Sequence, residues 1–187
     1  MNTVSAEPLH TSLLVIGGGT GGYPAAFLAA DLGVSVTLVE LDANPGGVCL
    51  YRGCIPSKAL LHVARVITES REAAHWGLTY AEPKIDLDKM RDWKNKVVAK
   101  LTGGLGVLTK KRKINFIQGR ARFLTNSSVR VDRKDGTQQT ITFDHCILAT
   151  GSRPAIPGNM KVASDRVMDS TGALDIPEIP GSLLVLG

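Results

Sequence analysis

The sequence predicts an α/β fold: a parallel sheet flanked by helices, with a small antiparallel meander attached. Three observations predict it. Short apolar, β-branched runs alternate with helical segments in the first forty residues. A glycine-rich loop, GGGTGG, joins the first such run to the first helix. Three segments with period-two alternation then follow one another between about residues 114 and 150. Strand–helix alternation builds parallel sheets, and consecutive strands with tight turns build meanders.

SLLVI, residues 12 to 16, is an apolar run stopped by Gly17, the pattern of a buried parallel strand. An alanine-rich segment from Tyr23 to Leu32 predicts a helix, with Gly33 as its C-cap. VSVTLVE, Val34 to Glu40, predicts the next strand, which completes a βαβ unit. After a turn at Asn44 to Gly47, a cysteine segment runs into a helix from about Pro56 to Ala74. Asp86 suits the N-cap of a second long helix that reaches about Lys111. INFIQGRARFL, SVRVDR and QQTITFDHCILAT predict the meander (about 114–145), with Asp135-Gly136 in the turn between the last two strands. The last strand runs on through CILAT to Thr150 and Gly151, a return to the parallel sheet. A proline-rich connecting segment (151–182) follows. The final LLVLG (183–187) has the look of another strand entering another glycine loop.

The 187 residues suffice for one domain with a core, or one and a part. Hydrophobic content of 43% and charged content of 21% are those of a soluble globular chain. The net charge is +5, and much of it sits in KKRK, Lys110 to Lys113. At the end of a helix such a run faces water and the negative end of the helix dipole. With aromatics at 5% and no recognition motif beside the run, nucleic-acid binding is not expected; steering of an anionic partner stays open. Three cysteines are too few for a secreted disulfide scaffold. MNTVSAEPLH lacks the basic start and long apolar stretch of a signal peptide, and no membrane span is predicted. A reducing, cytoplasmic compartment is expected.

Gly17, Gly19 and Gly22 form GxGxxG between a strand and a helix, the context that motif requires. Gly17 permits the tight turn, Gly19 lets backbone approach a pyrophosphate, and Gly22 lets helix and strand pack closely. The helix N-terminus offers amide donors and a positive dipole to phosphates. Glu40 ends the second strand, where an acid accepts hydrogen bonds from an adenosine ribose. The motif alone does not separate FAD from NAD.

Cys49 and Cys54 admit four readings. A zinc site lacks ligands, since His62 is the other nearby candidate and no second cysteine pair exists. A structural disulfide is unusual in a reducing compartment. Two buried thiols and a redox pair remain open. In a regular helix, positions five apart have Cα atoms about 8.6 Å apart, whereas a disulfide wants under about 6.8 Å. A bridge therefore requires a departure from helix, which Gly53 can supply. Pro56 suits a first helical turn. A helix starting there would favour a thiolate at Cys54, with Lys58 one turn further on.

GGGTGGYPAAFLAADLG, GGVCLYRGCIPSKALLH, ILATGSRP and the terminal LLVLG together resemble the flavin-dependent pyridine nucleotide–disulfide oxidoreductases. The likeness covers nearly the whole chain, and the cysteine motif is its most specific part. CIPSKALLH is most similar to the members that oxidise dihydrolipoamide; glutathione- and mercuric-ion-reducing members share the architecture. The resemblance implies a Rossmann-like FAD-binding domain over 1–150, incomplete relative to the family. It implies FAD held tightly without a covalent bond by Gly17, Gly19, Gly22 and Glu40, with Gly47, Lys58, Thr150 and Gly151 also at the cofactor. It implies a redox disulfide between Cys49 and Cys54. Cys54 would face the flavin and form a charge-transfer complex, while Cys49 exchanges with the substrate dithiol. Dihydrolipoamide, carried on a lipoyl domain of a 2-oxoacid dehydrogenase or glycine cleavage complex, would become lipoamide, and NAD would be reduced by way of the flavin.

Two departures stand out. Tyr51-Arg52 replaces the family's Asn-Val between the cysteines, which adds positive charge beside the thiols and bears on thiolate stability or substrate preference. Pro24 falls in the first helical turn, where it is tolerated. Cys146 has no partner in the motif and reads as packing. Members of the family are more than twice this long. An NAD-binding domain beginning at 183–187 and a dimerisation domain with a catalytic His-Glu pair are expected beyond these residues, in a homodimeric enzyme. The 187 residues alone are expected to show weak FAD binding and no turnover. The other readings are an NADPH-consuming reductase and a flavin-binding module without catalysis. An acid after the second strand of the nicotinamide domain would favour NAD, and basic residues there NADP.

Overall fold

The computed structural model describes residues 5–186, with side chains from residue 8. The chain forms two compact units, each assembled from two segments: 1–51 with 100–153, and 52–99 with 154–187. This division cuts across the expected 1–150 domain, because the helical segment after the cysteines groups with the proline-rich one.

The first unit is built on five strands: β1 (Ser5–Ile16), β2 (Val36–Glu40), β3 (Asn115–Thr125), β4 (Ser128–Arg133) and β5 (Gln138–Leu148). They close into one ring in that order, β5 returning to β1. β1 lies parallel between β2 and β5, from Leu13↔Val36 to Ile16↔Val39 on one side and Leu13↔His145 to Ile16↔Leu148 on the other. β3 begins parallel to β2, ending at Glu40↔Gln118, and continues antiparallel to β4 from Gly119↔Arg133. The expected parallel sheet and meander are therefore one surface, with β3 and β5 each belonging to both. Gly119 sits where β3 changes partner. A Cβ there would lie 2.6 Å from the Asp132 carbonyl oxygen and 2.7 Å from Val131 Cγ1, so a glycine is needed at that crossing.

Strand side chains alternate between faces, and both faces of the parallel part are buried. Inside the ring pack Leu14, Ile16, Val39, Ile117, Val129, Val131, Ile141 and Phe143. On the outer face Val15, Val36, Leu38 and Ile114 pack with Ala26 and Phe27 of α1 (Tyr23–Asp31). Leu105 of α4 (Leu87–Lys111) joins them. α1 begins one residue after Gly22, with Pro24 in its first turn, and Gly33 follows it in the left-handed region (φ +84°). Gly136 turns the β4–β5 hairpin at φ +84°. The basic run does more than face water. Arg112 pairs with Asp31 at 2.9 Å and lies 4.6 Å from the Phe27 ring centroid, which fastens the end of α4 to α1.

The second unit holds α3 (Cys54–Glu72), a 3₁₀ turn (Ala73–Trp76), the start of α4 and the short α5 (Ser170–Ala173). Asp86 caps α4 as expected, its carboxylate accepting from the Lys89 amide at 3.0 Å. Lys94, 4% exposed, donates to the Leu174 carbonyl at 2.7 Å, and Arg91 donates to that of Ile176 at 3.3 Å. These two cations complement the carbonyl end of α5. Residues 182–186 carry no assigned helix or strand, and Leu183 to Leu186 are exposed; Gly187, the last residue of the strand expected at 183–187, lies outside the described residues. No helix of the described residues is long and apolar enough to cross a membrane.

Ile117 is 1% exposed inside the ring, whereas Leu124 is 53% exposed at its rim. Ile117→Ala is expected to cost about 2–5 kcal/mol and Leu124→Ala less than about 0.5 kcal/mol. Urea denaturation followed by circular dichroism checks the contrast, and similar costs for both would remove Ile117 from the core.

Candidate functional site

The site begins where three backbones meet. β1 ends at Ile16, and the Gly17 amide donates to the Val39 carbonyl at 2.8 Å. The Ala149 amide, just past β5, donates to the Ile16 carbonyl at 2.8 Å. Gly17 has φ +102°, and a Cβ on it would stand 2.2 Å from the Ala149 oxygen. A Cβ on Gly22 would stand 1.8 Å from the Gly17 oxygen. Neither position admits a side chain. The close helix–strand packing expected of Gly22 is thus present.

Gly19 differs. The nearest atom to its missing Cβ is Gly47 Cα at 3.6 Å, an ordinary contact distance. α1 has no acidic residue in its first turn and no side-chain cap. Its N-terminal amides and dipole therefore suit an anion such as a pyrophosphate. Gly47 packs on the loop from the other side. At φ +57° its Cβ would meet Gly19 Cα at 2.5 Å, and the Gly46 amide donates to the Gly18 carbonyl at 2.8 Å.

Glu40 ends β2 beside this loop. Its carboxylate accepts from the Gly18 amide, from the Leu41 amide at 2.6 Å and from the Asp42 amide at 3.1 Å. A carboxylate has roughly four acceptor positions. Three backbone donors thus leave one position, and a ligand diol that used two would displace an amide. Thr150 follows Ala149 at the strand end, its nitrogen 3.1 Å from the Cβ position of Gly17, and Gly151 (φ +70°) follows in turn. The first unit therefore brings together Gly17, Gly19, Gly22, Glu40, Gly47 and the Thr150 strand end.

An open pocket of about 540 Å³ continues from Glu40. Leu41, Asp42 and Ala43 line it from the loop after β2, Gln118 to Arg120 from β3, Asp132 and Lys134 from the β4 side, and Tyr51 from α2 (Gly47–Arg52). The sequence did not reveal this pocket, because its walls come from segments far apart in the chain, 41–51 and 118–134. Gly119, a glycine inside a strand pattern, was the one local sign of a close backbone approach.

The expected redox cysteines fall on either side of a helix break. Cys49 is half-buried on α2, and Cys54 is exposed at the first position of α3. Gly53 between them has φ −149° and ψ −113°, the departure from helix that the spacing required. Pro56 is buried in the first turn of α3, and Lys58 is exposed one turn after Cys54. All three cysteines are thiols in this structure. Cys146, on β5, packs against the ring interior, and burial pushes its thiol above the usual range. Among the described residues no group of three or more His, Cys, Asp or Glu side chains could hold a metal ion.

Residues 11–187 match the family described as pyridine nucleotide-disulphide oxidoreductase. The dihydrolipoyl dehydrogenase of Vibrio cholerae serotype O1 is 44% identical over 182 residues, 97% of this chain and 38% of the relative. That of Haemophilus influenzae is 44% identical over the same shares. A dihydrolipoyl dehydrogenase of Staphylococcus aureus is 47% identical over 181 residues, 96% of this chain and 38% of the relative. The chain thus spans 38% of the length of these curated relatives.

At about pH 8.5, where half of an ordinary free thiol is ionised, Cys146 is expected to react with iodoacetamide more slowly than free cysteine. Its thiolate appears only as pH rises further, so its rate should still climb at about pH 9.5, where free cysteine has levelled off. Peptide mass spectrometry of timed alkylations reads this, and equal rates at the lower pH would count against the burial effect.

Proposed function

The chain belongs to the pyridine nucleotide-disulphide oxidoreductase family, and we propose that it is the flavin-binding, redox-cysteine part of an enzyme oxidising dihydrolipoamide to lipoamide with NAD as acceptor. One observation carries the reading: relatives named dihydrolipoyl dehydrogenase match 96–97% of the chain at 44–47% identity, cysteine segment included.

The site fits the adenosine diphosphate half of FAD. The glycine-loop backbone and the amides at the start of α1, which carries no side-chain cap, would take the pyrophosphate. Glu40 would take the ribose by exchanging a backbone amide for a hydroxyl. Such an exchange of similar hydrogen bonds costs little. Gly47 and Thr150 crowd the same loop, and Gly151 and Lys58 complete the proposed set.

Cys49 and Cys54 carry the sulfur chemistry. With the pair oxidised, one substrate thiolate attacks Cys49 Sγ and releases Cys54 as thiolate. The second substrate thiol then displaces Cys49, which yields the cyclic disulfide of lipoamide and leaves two electrons on the cysteines. Cys54 stands at the first position of α3. FAD supplies the passage of those electrons to NAD as hydride. On this reading the enzyme works in the cytoplasm as a homodimer and meets its substrate on a lipoyl domain.

The test uses the full-length protein, purified with its flavin. Cys49→Ser and Cys54→Ser are each expected to lower dihydrolipoamide-dependent NAD reduction on the order of a thousandfold or more while keeping flavin absorbance. The Cys49 variant should retain a long-wavelength charge-transfer band, and the Cys54 variant should lack it. Activity in either variant, or wild-type protein without flavin, overturns the proposal.

A further inference from the structure

Tyr51 has a place in the fold that the cysteine chemistry does not use. It stands two residues after Cys49 on α2, yet its ring lines the open pocket of the first unit. Its hydroxyl donates to the Asn44 carbonyl at 3.1 Å, and its ring edge packs at Gly46, where a Cβ would come within 3.2 Å of Cε2. Asn44 is itself fixed, for its side chain fills the space at Gly106 of α4 and leaves no room for a Cβ there. The ring is therefore anchored at both its edge and its hydroxyl.

The pocket's position supplies the ligand chemistry. Phosphate-binding features sit at the glycine loop, the ribose acceptor Glu40 sits at the end of β2, and the pocket opens at the next residue, Leu41. Phosphate, sugar and base follow one another in a nucleotide as these three features do along the site. Gln118, Gly119 and Arg120 of β3 line the same pocket, and Gln118 donates to the Leu41 carbonyl at 2.9 Å. A flat heteroaromatic base packs favourably on a fixed aromatic ring.

We propose that Tyr51 is a base-positioning residue: the purine of the bound dinucleotide packs on its ring. The inference rests on the flavin-nucleotide reading above and assigns a role to one of the two residues that replace the family's Asn-Val.

The experiment titrates the full-length apoprotein with ADP, FAD and inorganic pyrophosphate by calorimetry, in wild type and in Tyr51→Phe and Tyr51→Leu. An aromatic contact to a base is worth roughly 1–3 kcal/mol, about 5- to 150-fold in affinity. Tyr51→Leu should weaken ADP and FAD by that factor and leave pyrophosphate unchanged. Tyr51→Phe keeps the ring and should stay within about twofold of wild type. Unchanged ADP affinity in Tyr51→Leu overturns the inference and leaves the flavin reading standing. So does loss of pyrophosphate binding together with ADP, which would make Tyr51 a support of the loop. A Phe variant as weak as the Leu variant likewise overturns it, by assigning the effect to the hydroxyl. Wild-type protein that binds neither ADP nor FAD overturns both.

Discussion

Backbone crowding at the glycine loop is the constraint on which the first unit depends. The Gly17 carbonyl occupies the place of a Cβ on Gly22, and the Ala149 carbonyl occupies that of a Cβ on Gly17. The same contacts tie the end of β1 to β2, β5 and the start of α1 through hydrogen bonds of 2.8 Å at Gly17 and Ala149. An added methyl group would force apart strands whose side chains fill two buried layers, and packed interiors do not yield at low cost. A site that accepts a phosphate by its amides needs this rigidity, since donors fixed in advance lose no entropy on binding.

Glu40 shows how the same economy limits the site. Its carboxylate holds the Gly18 amide on one side and the Leu41 and Asp42 amides on the other. It thus orders the glycine loop and the turn after β2 before any sugar arrives. A ribose that takes one of these acceptor positions replaces one hydrogen bond by another. The net change is then small beside the electrostatic gain of placing phosphates at a helix N-terminus.

Much of the fold was legible because local signals agreed with each other. The βαβ unit, the Asp86 cap, the Asp135-Gly136 hairpin and the helix break at Gly53 follow from periodicity and from residues with narrow backbone preferences. What escaped depends on partners distant in the chain. The ring closes because β3 changes partner at Gly119, and strand alternation reads the same whether the neighbour is β2 or β4. Arg112 looked like one member of a solvated run until Asp31 and Phe27 came beside it. The six-residue α2 was read as a turn and cysteine segment, since so short a helix carries no periodic signal. In the glycine loop, spacing fixed which residues crowd together, while the three-amide environment of Glu40 needed coordinates to be seen.

The placement of Cys49 is bound up with the nucleotide site by the same economy of contacts. α2 is fastened at its start, where Gly46 donates to Gly18 and Gly47 packs on Gly19. It is fastened again near its end by the Tyr51–Asn44 hydrogen bond. Cys49 lies between these two anchors. A change at the glycine loop or in the pocket therefore reaches this thiol through a single six-residue helix, too short to absorb distortion along its length. Gly53 then breaks the helical path between the two cysteines. Two cysteines five positions apart thus have different supports. One is held by the glycine loop, and the other opens α3. An asymmetric pair of this kind suits chemistry in which one sulfur is attacked and the other leaves as thiolate.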